Sequence, residues 1–186
     1  MSGNIEGGAR HRGWWRIIVW GGPAVLLLIP AVAMQFSDEV QWTAFDFIVA
    51  AVILAVPAAL IELTMRASRS VAYRAGVVVA LGTAFLITWS NLAVGIIGNE
   101  DNPINQIFFG VILIAIVSAF IANFRARGMA LAMAATAVAM AATAIPAFMD
   151  GSVVVRLIAI FTALWLLSAW LFHKAATGQA TVAAES

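Results

Sequence analysis

Six apolar runs, each long enough to cross a bilayer, constrain this chain more than any other feature. A hydrocarbon core about 30 Å thick takes about 20 helical residues to span. The runs fall at residues 15–35, 42–64, 73–97, 104–124, 129–149 and 153–173. Transmembrane β-strands would be about 10 residues long and would alternate apolar with polar side chains. Residues 48–61 and 111–121 do not alternate. A helix satisfies its own backbone hydrogen bonds in lipid, where no water is at hand. The expected fold is therefore all-α: a polytopic membrane bundle of six transmembrane helices. Composition agrees. Of 186 residues, 63% are hydrophobic and 10% charged, against about 45–50% and about 25% in a soluble domain. Too few polar side chains remain to clothe a water-facing surface.

The connections at 36–41, 65–72, 98–103, 125–128 and 150–152 are short. They make consecutive spans antiparallel neighbours and leave no room for a soluble domain between them. The chain thus divides into an N-terminal tail over 1–14, a six-helix transmembrane domain over 15–173 and a C-terminal tail over 174–186. Both tails read as weakly ordered. Arg10, Arg12, Arg16, Arg66, Arg69, Arg74, Arg125, Arg127 and Lys174 fall on one side of the alternation, nine of the ten basic residues. Asp38, Glu39, Glu100, Asp101 and Asp150 fall on the other, with Arg156 as the single base there. The positive-inside rule then expects both termini in the cytoplasm. Trp14, Trp15 and Trp170 mark the inner interface and Trp42 the outer one, at the headgroup depth such rings prefer. The N-terminal run with Ala31-Val32-Ala33 also has features of a cleaved signal peptide. An uncleaved first helix is expected, because it completes the charge alternation.

Small residues let membrane helices approach closely. Ala130, Ala134, Ala137 and Ala141 form one stripe on the fifth span, which is expected to sit against neighbours. Ala84, Thr88, Asn91, Gly95 and Gly98 form a second stripe at helical spacing on the third. Pro23, Pro30, Pro57 and Pro146 interrupt helical hydrogen bonding, and static bends are the expectation for them.

Residues that carry chemistry are few. With no cysteine, disulfides, Cys-ligated zinc and thiol catalysis are out. A net charge of +1 gives no basic field for nucleic acid. No zinc-hydrolase, nucleophile-elbow or phosphate-loop motif occurs. His11 and His173 lie near the ends of the chain's membrane domain, so a pair of buried haem ligands is not expected. No cofactor, metal site or catalytic residue is assigned. Ionisable groups within the spans are the default functional candidates. Asp46 lies about one turn into the second span, where a helix N-terminus favours a carboxylate. Glu62 is followed four residues on by Arg66, a favourable helix pair. Asp46 and Glu62 stand 16 residues apart, about 24 Å along one helix, too far to act as an acid–base pair.

The densest polar segment runs Asn91-Leu-Ala-Val-Gly-Ile-Ile-Gly-Asn-Glu-Asp-Asn-Pro-Ile-Asn105. It resembles the motif NxAVGIIGxEDNPxN of a family of small multi-pass bacterial inner-membrane proteins to which no activity is attached. The likeness extends from Phe45-Asp46-Phe47 through Tyr73-Arg74 to the run from Leu164 to Trp170. It implies a bacterial inner-membrane location and no mechanism. Within the segment, Gly98 suits a helix stop, Asn102 an N-cap and Pro103 the first helical position. Asn91, Asn99, Glu100, Asp101, Asn102 and Asn105, with Asp46 and Arg156, form the expected outer polar cluster. Arg156 is expected to pair with Glu100, Asp101, Asp46 or Asp150. The cluster is either a buttressed loop or a ligand or cation site. Three functional readings follow: a non-enzymatic accessory, assembly or scaffold module, a small channel or transporter entered around residues 91–105, and an intramembrane enzyme, for which the sequence offers no catalytic set. The expected partners are the lipid bilayer and a membrane protein or a second copy of this chain.

Overall fold

The computed structural model describes residues 14–148 and 152–184; the expectations for His11, Asp150 and most of the N-terminal tail fall outside them. All the regular structure among the described residues is helical. Helix α1 is Trp14–Ala33, α2 Ala44–Ala67 and α3 Val71–Ala93. A 3-10 turn, Pro103–Asn105, leads into α4, Gln106–Ile121. Then come α5, Ala126–Ala142, a four-residue α6, Ala144–Ala147, and α7, Ser152–Ala184. Six segments are long and apolar enough to cross a membrane, with α5 and α6 together making the fifth. The chain has the build of a multi-pass membrane protein.

Local chemistry sets the helix ends. Ser70 caps α3, its Oγ accepting from the Tyr73 N–H at 3.3 Å. Thr43 precedes α2 and forms a reciprocal box with Asp46: the Thr43 N–H and hydroxyl donate to Asp46 Oδ2 at 2.7 and 2.8 Å, and the Asp46 N–H donates to Thr43 Oγ1 at 3.3 Å. Such boxes satisfy N–H groups that a helix start leaves without partners. Helix α5 stops at Ala142, four residues before Pro146. A proline ring clashes with the carbonyl four residues back and offers no N–H to it. Thr143 closes the break, its hydroxyl donating to the Met140 carbonyl at 2.7 Å. At the far end, α7 runs on to Ala184, so residues 174–184 continue a helix where the sequence reads as a loose tail. That stretch is rich in alanine, the best helix former, and extends a helix already nucleated.

The chain separates into two compact units, Met1–Ala67 and Ser68–Ser186. The first is the α1–α2 hairpin. Its buried side chains are Pro30 on α1 and Ala50, Leu54 and Ala58 on α2, while Ile17, Val25, Leu28, Ile48 and Leu63 are exposed. That surface suits contact with lipid tails. The second unit is a four-span bundle. In it α7 packs against both α3 and α5, and α4 packs against α5. Ile87, Phe108, Met140, Ile158, Trp165 and Phe172 are fully or almost fully buried in its core. One polar contact ties α7 to α3: Ser168 Oγ donates to the Gly76 carbonyl at 2.9 Å. A Cβ on Gly76 would lie 3.2 Å from the Phe172 ring, so the small residue there permits the close approach.

The two small-residue stripes turn out differently. On α3 the buried face is Gly76, Ala80, Thr83, Ile87 and Asn91. Ala84 and Thr88 are half-buried, and Gly95 and Gly98 have left the helix, with φ of +71° and +70°. On α5 the buried face combines Met129, Ala132, Met133, Thr136, Ala137 and Met140. Ala130 and Ala134 are half-buried and Ala141 is exposed. Flexible methionines fill the irregular space that alanines leave, so burial follows the methionine face. Of the six spans, this one is the most buried, in keeping with the expectation that it sits against neighbours.

Candidate functional site

The polar segment between α3 and α4 is built around one side chain. Asn105 is 4% exposed. Its Oδ1 accepts from the N–H groups of Ile96 at 3.2 Å and Ile97 at 2.8 Å. Its Nδ2 donates to the carbonyls of Ile97 at 3.1 Å and Asn99 at 2.7 Å. A carboxamide offers two donors and a two-lone-pair acceptor, so the turn backbone consumes this one completely. Ile96 and Ile97 are themselves buried in the bundle core. They carry backbone N–H groups into an apolar place, and Asn105 meets the obligation that creates.

Glycine makes the path possible. Gly95 takes the left-handed region, and a Cβ there would lie 2.3 Å from the carbonyl carbon and oxygen of Asn99. No side chain fits. Asn102 then opens the 3-10 turn, with Pro103 next: Oδ1 of Asn102 accepts from the Ile104 N–H at 3.2 Å. The Asn102 N–H donates to the Asn99 carbonyl, and the Asn105 N–H to the Asn102 carbonyl. Glu100 and Asp101 are exposed at the tip.

Asn91 lies beneath this turn on the last helical stretch of α3. Its Nδ2 donates to the Asn105 carbonyl at 3.0 Å. Its Oδ1 is buried and has no hydrogen-bond partner. A buried amide oxygen without a donor costs about 1–3 kcal/mol, so this atom marks where the turn has unused acceptor capacity.

Arg156 is exposed, one turn into α7. Among the described residues the ion pairs are Arg16–Glu62 and Arg66–Glu62, so Arg156 forms none with Glu100 or Asp101. Asp150 lies outside the described residues. Asp46 belongs to the hairpin unit and is bonded to Thr43 at the start of its own helix. Glu62 and Arg66 do pair on α2, and α1 adds two partners the sequence reading did not name. Arg16 Nη2 lies 3.0 Å from Glu62 Oε1, and Trp20 Nε1 donates to Glu62 Oε2 at 2.7 Å. The spacing held the signal: Arg16 and Trp20 are four residues apart, as are Glu62 and Arg66, on adjacent antiparallel helices. Among the described residues, no three His, Asp or Glu side chains converge to hold a metal ion. Compared with known proteins, the chain matches no family model, no curated protein and no solved structure.

Proposed function

We propose that this protein is a non-enzymatic membrane module, an accessory, assembly or scaffold unit. One observation carries the reading. The most polar segment of the chain spends its amides on its own backbone, with four hydrogen bonds made by the Asn105 side chain alone. Amides committed to the turn backbone hold a shape, which is what a structural module asks of them. The motif resemblance around residues 91–105 supports a bacterial inner membrane as its location. The clustering of Arg66, Arg69, Arg74, Arg125 and Arg127 in the second and fourth connections supports cytoplasmic termini. A module of this kind works by association, with another membrane protein or with a second copy. Purifying the full chain from its own membrane in mild detergent and measuring the mass of the complex tests this. A stable hetero- or homo-oligomer is expected, and a solitary monomer would overturn the association.

A second reading has one observation of its own. The unpartnered, buried Asn91 Oδ1 favours a small channel or transporter whose polar entry lies around residues 91–105. A permeating water or a donor group on a solute would bond to that oxygen. Solute and water flux into vesicles carrying the protein, compared with Asn91→Leu, is the measurement. Equal permeability of the two removes this reading.

A further inference from the structure

The charged cluster on the hairpin has an arrangement that a helix-to-helix tie alone does not call for. Arg16 is the third residue of α1, and Arg66 is the last but one of α2. The hairpin brings these two ends together at one face of the membrane. Both guanidiniums share a single oxygen, Glu62 Oε1, while Trp20 Nε1 holds the other oxygen. The Glu62 side chain is 12% exposed, whereas those of Arg16 and Arg66 are 54% and 62% exposed. One carboxylate is thus enclosed beneath two open guanidiniums, and the cluster keeps a surplus positive charge. Each guanidinium carries five N–H donors, and each commits Nη2 to Glu62. Trp20 stands six residues into α1, about 9 Å from its start, so its indole lies on the membrane side of the arginines.

We propose that Arg16 and Arg66, positioned by Glu62 and Trp20, bind the phosphate of an anionic phospholipid headgroup. The planar guanidinium fork matches phosphate oxygens in bidentate fashion. Two forks fixed on one carboxylate are preorganised for it, which lowers the cost of ordering them on binding. Depth selects lipid over free phosphate: the arginines sit at the ends of membrane-spanning helices, where headgroups lie, and the exposed apolar sides of α1 and α2 lie alongside for the acyl chains. Basic pockets between membrane helices take lipid headgroups on this principle.

The test is native mass spectrometry of the full chain in detergent, titrated with phosphatidylglycerol or with phosphatidylcholine. Retention of phosphatidylglycerol should exceed that of phosphatidylcholine. Each arginine near an anionic headgroup is worth about fivefold in affinity, so Arg16→Gln with Arg66→Gln should lower phosphatidylglycerol retention about 25-fold. The exposed pair Arg125→Gln with Arg127→Gln removes the same charge elsewhere and should leave retention within about twofold, well short of what two headgroup contacts supply. If the double glutamine variant does not fold, Arg16→Lys with Arg66→Lys decides. It keeps the charge and loses the forks, so retention should fall clearly below that of the native chain while staying above that of the glutamine pair. Four results would overturn the site: equal retention of the two lipids by the native chain, equal losses in the two glutamine pairs, full retention in the lysine pair, and displacement of the lipid by excess inorganic phosphate, which would make free phosphate the ligand.

Discussion

Asn105 and Gly95 decide the shape of the turn above α3, and they do so by different physics. Removing the Asn105 side chain strands the Ile96 and Ile97 N–H groups among buried residues. Each buried group left without a partner costs about 1–3 kcal/mol, so Asn105→Ala, which strands these two, should destabilise the bundle by about 2–6 kcal/mol in a reversible unfolding titration. Gly95→Ala places a Cβ 2.3 Å from backbone atoms of Asn99 and forces a left-handed φ that costs a non-glycine residue about 1–2 kcal/mol by itself. It should be worse than an alanine at Gly98, where the nearest atom is a side-chain nitrogen at 3.1 Å; equal melting of the two variants would contradict that ranking. A milder case lies at the opposite end of the bundle. Phe124 has a φ of +56°, an uncommon value for a bulky residue, and its carbonyl accepts from the Tyr73 hydroxyl at 2.6 Å. Tyr73→Phe keeps the edge-on contact with Phe172 and loses that bond, so about 0.5–1.5 kcal/mol should go. At this scale the sequence was only partly legible. Asn102 and Pro103 announce a helix start through residue type alone. The role of Asn105 depends on which backbone groups are pulled inward with Ile96 and Ile97, and that is set by three-dimensional packing.

Helices were the legible level, because lipid leaves the backbone few choices. A run of about 20 apolar residues must close its own hydrogen bonds, so length and hydropathy place all six spans within a few residues, except at the end of the last, where the helix continues past residue 173 to Ala184. What the sequence concealed is the face each helix turns inward. On α5, Ala137 and Ala141 share the small-residue stripe, yet Ala137 is 1% exposed and Ala141 is exposed. Alanine carries too little bulk to signal which side meets a neighbour. The methionines at 129, 133 and 140 mark that side, since they fill the space against α4 and α7. The distinction is measurable. Ala137→Leu forces extra methylenes into a filled contact and should cost about 1–3 kcal/mol. Ala141→Leu should stay within about 0.5 kcal/mol, as surface changes do. Matching losses at the two positions would show that the whole stripe is packed. The same logic explains why α3 ends at Ala93 and not at residue 97: a helical pattern of small residues continues through Gly95 and Gly98, but two glycines in the left-handed region have already turned the chain.

For the molecule as a whole, side of the membrane is the property on which every functional reading depends. The turn at residues 91–105 is a candidate entry only if it faces outward, and the Arg16–Glu62–Arg66 cluster is at the inner headgroups only if the hairpin's basic end faces in. Charge argues for one orientation. Arg66, Arg69 and Arg74 flank the α2–α3 connection and Arg125 and Arg127 the α4–α5 connection, while Glu100 and Asp101 occupy the α3–α4 turn. Moving five arginines across a bilayer is far less favourable than retaining them, and short basic loops control orientation where acidic residues count for little. The expected arrangement therefore has residue 186 and the even-numbered connections in the cytoplasm, and residues 98–103 outside. Reporter domains that are active on one side only, fused after residue 186 and inserted at Asp101, should give opposite signals. A cysteine introduced at Glu100 should react with an impermeant thiol reagent in intact cells, and one at Arg127 only after lysis. The native chain has no cysteine, so each label reports a single site. Labelling at Arg127 in intact cells would invert the topology, and with it the assignment of the turn as an outward-facing entry.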